Sequence, residues 1–477
     1  MVWPQANQDG EGGVMVDFAK LLKDKQTARA SLMAGLEASL VPKSRIKDGP
    51  VSQAVRTAFP LNDDQAGAVA SMVRFIDEQR SRFFVLAGPA GTGKTFCIKD
   101  LINRLRGRMV FTAPTNKATK VLRESVTSDD YKPECRTIYS LLGLRLEANG
   151  EIKELAAPED PLDLSRFLAV VVDEGSMINA NLMGHIRETA ETQNIQFIFM
   201  GDPAQLPPVG ERASPIWTID AQRYQLTKVM RHDNQILTLV TRMRMLIDHP
   251  CPNVKVLSDN DGQEGVWAVS QREFVAKIRE RARSGDFSKV NGTKAIAWRN
   301  VTVDALNKII RSEIFDETAG EWAPGDRLTM LQPAKDWEGE DVAHTDDEGT
   351  VTRVGEAWHP IYEQFYCYTV DVTFDDNHTG TIWLINPYSR AEFEKEGVRL
   401  AAEARTNPRL WKNFWAFKES FHSARHAYAI TSHRAQGSTY QVAFVDYRDI
   451  LLNRNRREAL QCLYVAFSRP KKELWLA

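Results

Sequence analysis

The segment GPAGTGKT, residues 88–95, has the spacing of a loop that holds nucleotide phosphates. Its three glycines let backbone N–H groups approach phosphate oxygens without obstruction by a Cβ atom. Lys94 should reach the β and γ phosphates, and Thr95 should bind Mg²⁺. The sequence therefore predicts a site for ATP and Mg²⁺ lined by Gly88, Pro89, Ala90, Gly91, Thr92, Gly93, Lys94 and Thr95.

Acidic residues that could complete this site follow an apolar run in AVVVDEGSM. Asp173 can reach the metal through its water shell, because Mg²⁺ keeps several of its waters in proteins. Glu174 is placed to orient and deprotonate the attacking water. A further segment, MGDPAQLPPVGE, contains Gln205, whose carboxamide could sense the γ-phosphate. The alternative for this segment is that Asp202 and the prolines only shape a loop.

The elements that must position these residues alternate along residues 56–225. Apolar runs such as FFVLAG, MVFTAP, FLAVVVDE and QFIFMGD end in small or polar residues, and helical stretches lie between them. Such runs are typical of parallel strands covered on both faces, and chemistry collects at the carboxyl ends of these strands. The segments GTKAIAWRN, AYAITSHRAQG and QVAFVDY predict a second α/β unit.

Two insertions interrupt this pattern. LRLEANGEIKEL alternates apolar and polar residues around Asn149-Gly150, the favoured turn of a two-residue β-hairpin. Short strands and turn signals between residues 324 and 420 predict a small antiparallel barrel. The helical segment that ends this region could stack bases, although core packing is the favoured interpretation for its aromatic residues, Trp411, Phe414, Trp415 and Phe417.

The composition places limits on partners and compartment. The chain has 477 residues and a net charge of −2, so a nucleic-acid partner would need a local basic surface. Its five cysteines include no CxxC pair, which argues against zinc and against a disulfide framework. We find neither an apolar run long enough to span a membrane nor a signal-peptide pattern. We expect a cytoplasmic protein of a bacterial or phage-infected cell.

Together these segments resemble the superfamily 1 helicases, in particular the 5′→3′ branch that contains RecD-like and phage Dda-like enzymes. The resemblance covers most of residues 56–477 and is carried by motifs in the family's order: LNDDQ, GPAGTGKT, FTAPTNKATKVL, RTIYSLLG, DEGSM, GDPAQLPPV, LTKVMRHD, TSHRAQGST and LYVAFSRPK. It implies two RecA-like P-loop NTPase domains. The first would carry the hairpin, as a pin at about residues 143–157, and the second an SH3-like barrel.

The resemblance also implies domain boundaries. An N-terminal extension of helix and linker would occupy residues 1–55, and the first RecA-like domain residues 56–225. The second domain would comprise residues 226–323 and 421–477, with the barrel and its helices inserted at 324–420.

The resemblance assigns roles to single residues. Gln65 would read the adenine base. Arg231 and Arg469 would face the γ-phosphate from the second domain, where a guanidinium stabilises charge on phosphate oxygens. Gln436 and Gly437 would lie near the nucleotide. The groove for single-stranded DNA would be formed by Thr115, Asn116, Lys117, Thr137, His433 and Arg434.

The sequence departs from the family pattern at three places. The predicted hairpin has no aromatic residue at its tip, which weakens the expectation that it splits a duplex. Gly175 stands where a larger apolar residue is common, so we expect a looser strand end. The first 55 residues match no family segment, and both a docking helix and a helix packed on the first domain remain open.

The sequence predicts an ATP-dependent DNA helicase that moves 5′→3′ on single-stranded DNA and acts on forked duplex. The direction rests on the resemblance alone. One alternative is a translocase that displaces proteins with little unwinding, and another is a DNA-bound scaffold that does not hydrolyse ATP. We expect a monomer, and a single-strand-binding or replication protein is a candidate partner. The preference for DNA over RNA stays open.

Overall fold

The computed structural model describes residues 60–105, 108–128, 131–146, 152–154, 164–228, 235–249, 254 and 256–477. The predicted N-terminal extension, the tip of the predicted hairpin and Arg231 lie outside these residues.

The first part of the described chain contains eight strands and five helices. The strands are β1 (Phe83–Ala87), β2 (Met109–Ala113), β3 (Cys135–Thr137), β4 (Leu144–Leu146), β5 (Ile152–Glu154), β6 (Ala169–Val172), β7 (Gln196–Gly201) and β8 (Gln222–Gln225). The helices are α1 (Asp63–Glu78), α2 (Lys94–Leu105), α3 (Asn116–Val126), α4 (Ile138–Leu141) and α5 (Ala180–Thr192). Six of the strands form a parallel sheet in the order β3-β2-β6-β7-β1-β8.

Apolar side chains are buried on both faces of this sheet. Alternate residues of one strand enter different clusters, so that Phe111 of β2 packs with α1, α2 and α3 while Val110 packs with α5. The continuous apolar runs in the sequence therefore reflect strands covered on two sides. The polar side chains that could form a site are therefore found at the ends of these strands.

The predicted hairpin is present as the antiparallel pair β4 and β5, in which Leu144 lies opposite Glu154 and Leu146 opposite Ile152. Its tip, residues 147–151, lies outside the described residues. The role of this hairpin as a pin stays a prediction.

The chain continues with α6 (Gln235–Asp248), β9 (Asp259–Asn260), β10 (Gly265–Ala268), α7 (Gln271–Arg283), β11 (Thr293–Ala297) and α8 (Asn300–Ile314). An inserted segment follows, with β12 (Arg327–Met330), β13 (Ala334–Lys335), β14 (Asp341–Ala343), β15 (Glu348–Trp358), β16 (Tyr366–Phe374), β17 (Thr379–Ile385), α9 (Pro387–Thr406), α10 (Trp411–Glu419) and β18 (Ala424–His426). The last elements are β19 (Ala429–Thr431), β20 (Tyr440–Val445), α11 (Tyr447–Leu451), α12 (Arg456–Phe467) and β21 (Pro470–Leu476).

The second α/β sheet has the order β19-β11-β20-β21-β10-β9 and is parallel except for β9. Helices α6 and α12 cover one face, and α7 and α8 cover the other. Strands β11 and β19 are neighbours although α8 and the inserted segment lie between them in sequence. The two parallel sheets confirm the predicted α/β class with two RecA-like units.

The inserted segment folds around a five-stranded antiparallel sheet in the order β17-β16-β15-β12-β18. Its two edges approach each other, because the His422 N–H, shortly before β18, donates to the Trp383 carbonyl of β17 at 2.8 Å. The sheet therefore curves toward a barrel, while the name SH3-like stays a prediction. Core packing is confirmed for Phe417, which is buried, whereas the rings of Trp411, Phe414 and Trp415 are half-buried against one another.

Two further sequence expectations concern cysteines and membranes. The described cysteines Cys97, Cys135, Cys367 and Cys462 are buried free thiols. Among the described helices, none combines the length and apolar character of a membrane span.

Candidate active site

The predicted site residues of the first sheet gather at one edge, because its strands are parallel and end together. The phosphate-loop segment follows β1, Asp173 and Glu174 follow β6, and Gln205 follows β7. Thr115 follows β2, and Thr137 ends β3. Since β3 and β2 lie at one side of the sheet and β1 near the other, the strand order separates the predicted DNA contacts from the phosphate loop.

The phosphate loop is closed on itself in this structure. Lys94 Nζ donates to the carbonyl oxygens of Gly88 at 2.7 Å and Pro89 at 3.1 Å. Gly91 and Gly93 have φ values of 82° and 83°, which favour glycine. Lys94 must therefore leave these two carbonyl groups to reach a phosphate.

Gln65 lies against this loop at its helical end. Its Nε2 donates to the Thr92 carbonyl at 3.1 Å, and its Oε1 accepts from the Asn62 N–H at 3.2 Å in a capping box. A Cβ atom at Gly93 would lie 2.3 Å from Gln65 Nε2, so a side chain there would displace the Gln65 carboxamide from the loop. Gln65 ties the loop to α1, and its role in reading adenine stays a prediction.

Asp173 and Glu174 lie together at the end of β6. Burial, followed by the neighbouring Glu174 carboxylate, raises the pKa of Asp173 to about 6. Glu174 has a φ of 50°, a left-handed conformation that is uncommon for a residue other than glycine. The Glu174 N–H donates to Asp173 Oδ1 at 2.8 Å, which supports this turn. Such backbone strain is typical of functional sites.

Gln436 links Glu174 to Gln205 from the second sheet. Its Nε2 donates to Gln205 Oε1 at 3.1 Å and lies 3.5 Å from Glu174 Oε2. Gly437 is next to the same carboxylate, because a Cβ atom there would lie 3.9 Å from Glu174 Oε1. Gln461 of α12 adds a hydrogen bond of 2.8 Å to the Gln205 carbonyl. The structure thus brings Glu174, Gln205 and Gln436 together across the cleft between the sheets.

A second polar connection across the cleft was missed by the sequence reasoning. The Ala90 N–H in the phosphate loop donates to the Tyr464 hydroxyl at 3.3 Å, and this hydroxyl donates to Asp202 Oδ2 at 2.5 Å. Asp202 is fully buried and forms an ion pair with Arg244 of α6. The interpretation that Asp202 only shapes a loop is wrong, because its carboxylate connects both sheets. The signal was the tyrosine within LYVAFSRPK.

We expect Tyr464→Phe to lower the melting temperature by about 2–8 °C, since a buried hydrogen bond to a carboxylate contributes about 1.5–3 kcal/mol. Tyr440→Phe is a matched control, because the Tyr440 hydroxyl is buried and makes no hydrogen bond to the described residues. Thermal unfolding followed by circular dichroism would measure both. Equal melting temperatures for the two variants would contradict a stabilising role for the Tyr464 hydroxyl.

The two predicted arginines are placed differently. Arg469 is only 7% exposed and donates to the carbonyls of Val465 at 2.9 Å and Ser438 at 3.0 Å, as well as to Ser468 Oγ. These contacts all lie around the second sheet and join LYVAFSRPK to TSHRAQGST. Arg231 lies outside the described residues. Contact of either side chain with the γ-phosphate stays a prediction.

Gly175 fits tightly beside the two acids. A Cβ atom there would lie 2.8 Å from Ile216 Cδ1 and 3.1 Å from the Met200 carbonyl oxygen. Ile216 thus fills the space that a larger side chain at position 175 would occupy. The expectation that Gly175 loosens the strand end is wrong, since the residue is buried in a short 3₁₀ turn, Gly175–Met177.

We expect Gly175→Ala to destabilise the protein by about 1–3 kcal/mol through overpacking and to reduce ATP hydrolysis by displacing Glu174. Gly184→Ala is the matched control, because a Cβ atom at this helical position meets no atom within 4 Å. Melting temperature and steady-state hydrolysis would be compared for both variants. A Gly175→Ala protein as stable and active as Gly184→Ala would contradict the steric argument.

The predicted DNA contacts of the first sheet lie at helix starts. Thr115 and Thr137 accept from the N–H groups of Ala118 and Ser140 at 3.1 Å and thereby cap α3 and α4. Asn116 begins α3 and is half-buried. Lys117 reaches the inserted sheet, where its Nζ donates to Glu348 Oε1 at 2.9 Å.

The second half of the predicted groove lies after β19. Burial lowers the pKa of His433, and Glu458, 3.6 Å away, only partly offsets this effect, so the ring should be neutral at pH 7. Contact of His433 with DNA stays a prediction. A pocket of about 430 Å³ opens here and is lined by Trp298, Asn300, Leu331, Arg425, Thr431, His433 and Arg434. Trp298, a ring on which a base could stack, follows β11 in the segment GTKAIAWRN, which indicates only a strand of the second α/β unit.

His433, Glu458 and Cys462 bring their ligand atoms within 4.8 Å of one another. Burial raises the pKa of Cys462 to about 12, so that its sulfur is a thiol at neutral pH. A bound metal would itself displace the thiol proton, so this pKa does not decide between a structural and a metal-binding role, and the expectation against zinc stays a prediction.

Comparison with known proteins agrees with this geometry. The family of AAA domains matches residues 60–259, and the UvrD-like helicase C-terminal domain matches residues 426–477. The ATP-dependent DNA helicase dda of Enterobacteria phage T4 is 28% identical over 455 residues, which cover 87% of this chain and 98% of that protein. These matches support a superfamily 1 helicase of the Dda type. Another relative of this helicase is the uncharacterized protein R530 of Acanthamoeba polyphaga mimivirus, 25% identical over 87% of this chain and 99% of that protein.

Solved structures similar to this helicase include two Pif1 helicases. Pif1 from Bacteroides in complex with ADP-AlF3 and ssDNA has a TM-score of 0.47 and 16% identity, with coverage of 86% of this chain and 91% of that chain. Pif1 from Candida albicans has a TM-score of 0.42 and 16% identity, with coverage of 88% and 94%. For this helicase, the first family match spans the motifs from LNDDQ to LTKVMRHD, and the second spans the last two motifs.

Proposed function

We propose that this chain is an ATP-dependent DNA helicase that moves 5′→3′ along single-stranded DNA and separates forked duplex. The enzyme class follows from the family, while the direction extends the sequence resemblance. The observation that carries the proposal is the contact of Gln436 with both Glu174 and Gln205. It joins the predicted hydrolysis centre of the first sheet to the segment of the second sheet that contains His433 and Arg434.

The nucleotide site has donors suited to ATP and Mg²⁺. The Thr95 hydroxyl and the Asp173 carboxylate are oxygen ligands of the kind that Mg²⁺ prefers. A divalent cation beside Asp173 would hold this buried carboxyl ionised, although burial raises its pKa to about 6. Bound Mg²⁺ would neutralise charge on the phosphates, and Lys94 would exchange its carbonyl contacts for phosphate oxygens.

Hydrolysis would depend on groups from both sheets. Glu174 would orient the attacking water and accept its proton, and Gln205 would sense the γ-phosphate. Arg469 and Arg231 would stabilise negative charge on the transferred phosphoryl group. Because the second sheet supplies part of this centre, loss of the γ-phosphate would favour a different arrangement of the sheets.

Movement along DNA would use the same connection. Gln436 is two residues from Arg434 and three from His433, so a displacement of Gln436 would also move these two predicted DNA contacts. The groove would bind a single strand through Thr115, Asn116, Lys117 and Thr137 on one side and His433 and Arg434 on the other. The proposal includes the domain boundaries predicted from the sequence. In it, the hairpin formed by β4 and β5 acts as a wedge at the fork of the duplex.

The test is ATP hydrolysis with and without single-stranded DNA, paired with unwinding of 5′-tailed and 3′-tailed duplexes. We expect strong stimulation by single-stranded DNA and unwinding of the 5′-tailed duplex only. Lys94→Ala controls for contaminating hydrolysis, because it removes the ammonium group that should contact the phosphates.

The outcomes separate the alternatives. A rate of ATP hydrolysis that DNA does not change would contradict the proposal that hydrolysis drives movement along DNA. Absence of hydrolysis would favour a DNA-bound scaffold. Stimulated hydrolysis without unwinding would favour the translocase, as the hairpin tip without an aromatic residue suggests. Unwinding of the 3′-tailed duplex alone would reverse the direction.

A further inference from the structure

One carboxylate of the inserted sheet holds a predicted DNA contact of the first sheet. Glu348, the first residue of β15, accepts from Lys117 Nζ at 2.9 Å through Oε1 and from Lys294 Nζ at 2.8 Å through Oε2. Lys117 lies on α3, whereas Lys294 lies on β11 of the second sheet. Glu348 therefore joins three structural units in one contact.

The charges of this cluster remain paired. Burial alone would lower the pKa of Lys117, but the Glu348 carboxylate more than offsets this effect and raises it. Burial alone would raise the pKa of Glu348, but Lys117 and Lys294 hold it well below its usual range. Lys117 is thus a cation whose charge is directed at a carboxylate instead of into the groove.

The same turn carries a second acid toward the other half of the groove. Asp346 Oδ1 lies 3.4 Å from Arg434 Nη1, which is buried and makes no hydrogen bond to the described residues. Burial raises the pKa of Asp346, with Arg434 and Lys117 opposing the effect. Residues 346–348, here called the acidic turn, therefore face both cations predicted to bind the strand.

We infer that the acidic turn positions Lys117 and Arg434 and occupies the places that two DNA phosphates take when a strand binds. This inference rests on the proposed function. A carboxylate offers the same negative oxygen acceptors as a phosphodiester, so each cation exchanges one anionic partner for another. The turn thereby sets how strongly the groove holds DNA.

Lys294 makes this exchange feasible at Glu348. When Lys117 moves to a phosphate, Glu348 keeps its bond to Lys294, which is buried and also donates to the Ala427 carbonyl at 2.5 Å. The carboxylate is therefore not left buried without a cation, a situation that would be strongly destabilising. Lys117 lies on α3 beside the first sheet, and Glu348 lies in the insertion. The choice of Lys117 between Glu348 and a phosphate therefore depends on the distance between these two units.

The test measures binding of fluorescein-labelled oligo-dT to the full chain by anisotropy over a range of salt concentrations. Asp346→Asn is the informative variant, because asparagine tolerates the φ of 68° at this position and Glu348→Gln would leave Lys294 without its anion. We expect Asp346→Asn to bind about three- to tenfold more tightly at low salt, with a steeper salt dependence by about 0.7 in the log–log slope.

The controls are chosen to isolate the turn. Asp346→Gly removes the same charge and also permits the left-handed turn, so it should show the same gain and replaces Asp346→Asn if that variant folds poorly. Glu392→Gln removes one exposed charge from α9 of the same insertion and should not change affinity. Lys117→Met should weaken binding.

Unchanged or weaker binding by Asp346→Asn and Asp346→Gly, in a wild-type protein that binds oligo-dT and is stimulated by it, would overturn this inference alone. A gain of the same size in Glu392→Gln would also overturn it, because a general charge effect would then explain the result. A wild-type protein that neither binds oligo-dT nor is stimulated by it would overturn the proposed function as well.

Discussion

Glu174→Gln is expected to lower the rate of DNA-stimulated ATP hydrolysis by at least about 100-fold, because the carboxamide cannot accept the proton of the attacking water. ATP binding should be retained, since glutamine has nearly the same size and Gln436 Nε2 can still donate to its oxygen. Steady-state hydrolysis and the affinity for a fluorescent ATP analogue would be measured on the same preparation.

The control for Glu174→Gln is Glu188→Gln, which makes the same change at an exposed position on α5. Its hydrolysis rate should equal that of the wild type. A rate for Glu174→Gln within about threefold of this control would show that another group accepts the proton. Loss of ATP binding in Glu174→Gln would instead indicate that the left-handed turn at this residue has collapsed.

Arg469→Lys is expected to lower the rate of hydrolysis by about 1,000-fold or more if the guanidinium stabilises charge on the γ-phosphate. The substitution keeps one positive charge but loses the planar fork that now contacts the carbonyls of Val465 and Ser438. The melting temperature should fall too, because the residue is buried. Rates must therefore be expressed per folded protein, as judged by circular dichroism.

Arg457→Lys on α12 is the matched control, since Arg457 is exposed. It should leave both the rate and the melting temperature unchanged. A lowered melting temperature with a normal rate for Arg469→Lys would assign this arginine to structure alone. The transferred charge would then have to be stabilised by other groups, with Arg231 as the next residue to test.

The positions of most of the predicted nucleotide-site residues could be anticipated from short segments. The phosphate loop needs glycines at set positions and a lysine and threonine at the following helix start, so its function is determined by local backbone geometry. The same holds for Asp173 and Glu174, which simply follow a buried strand. The parallel order of the strands then places these segments at one edge, as the alternation of apolar runs predicts.

Two interpretations failed for a reason that is not local. The family comparison predicts a looser strand end at Gly175, but a Cβ atom there would meet Ile216 and the Met200 carbonyl oxygen, 41 and 25 residues later in the chain. The interpretation that Asp202 only shapes a loop fails because its carboxylate contacts Tyr464 and Arg244. In both cases the residues that make the contact are distant in sequence. The residues next to Gly175 and Asp202 in the chain therefore give no indication of these contacts.

By itself, the sequence determined the chemistry at each strand end: which residues could contact phosphate, metal and water. Only the tertiary structure decided which of these groups meet. The Ala90 N–H and the Tyr464 hydroxyl are 374 residues apart, and Lys117 and Glu348 are 231 apart. Such pairs depend on how two sheets and an insertion pack, because side-chain contacts across a cleft are set by the positions of whole elements and not by local backbone preference.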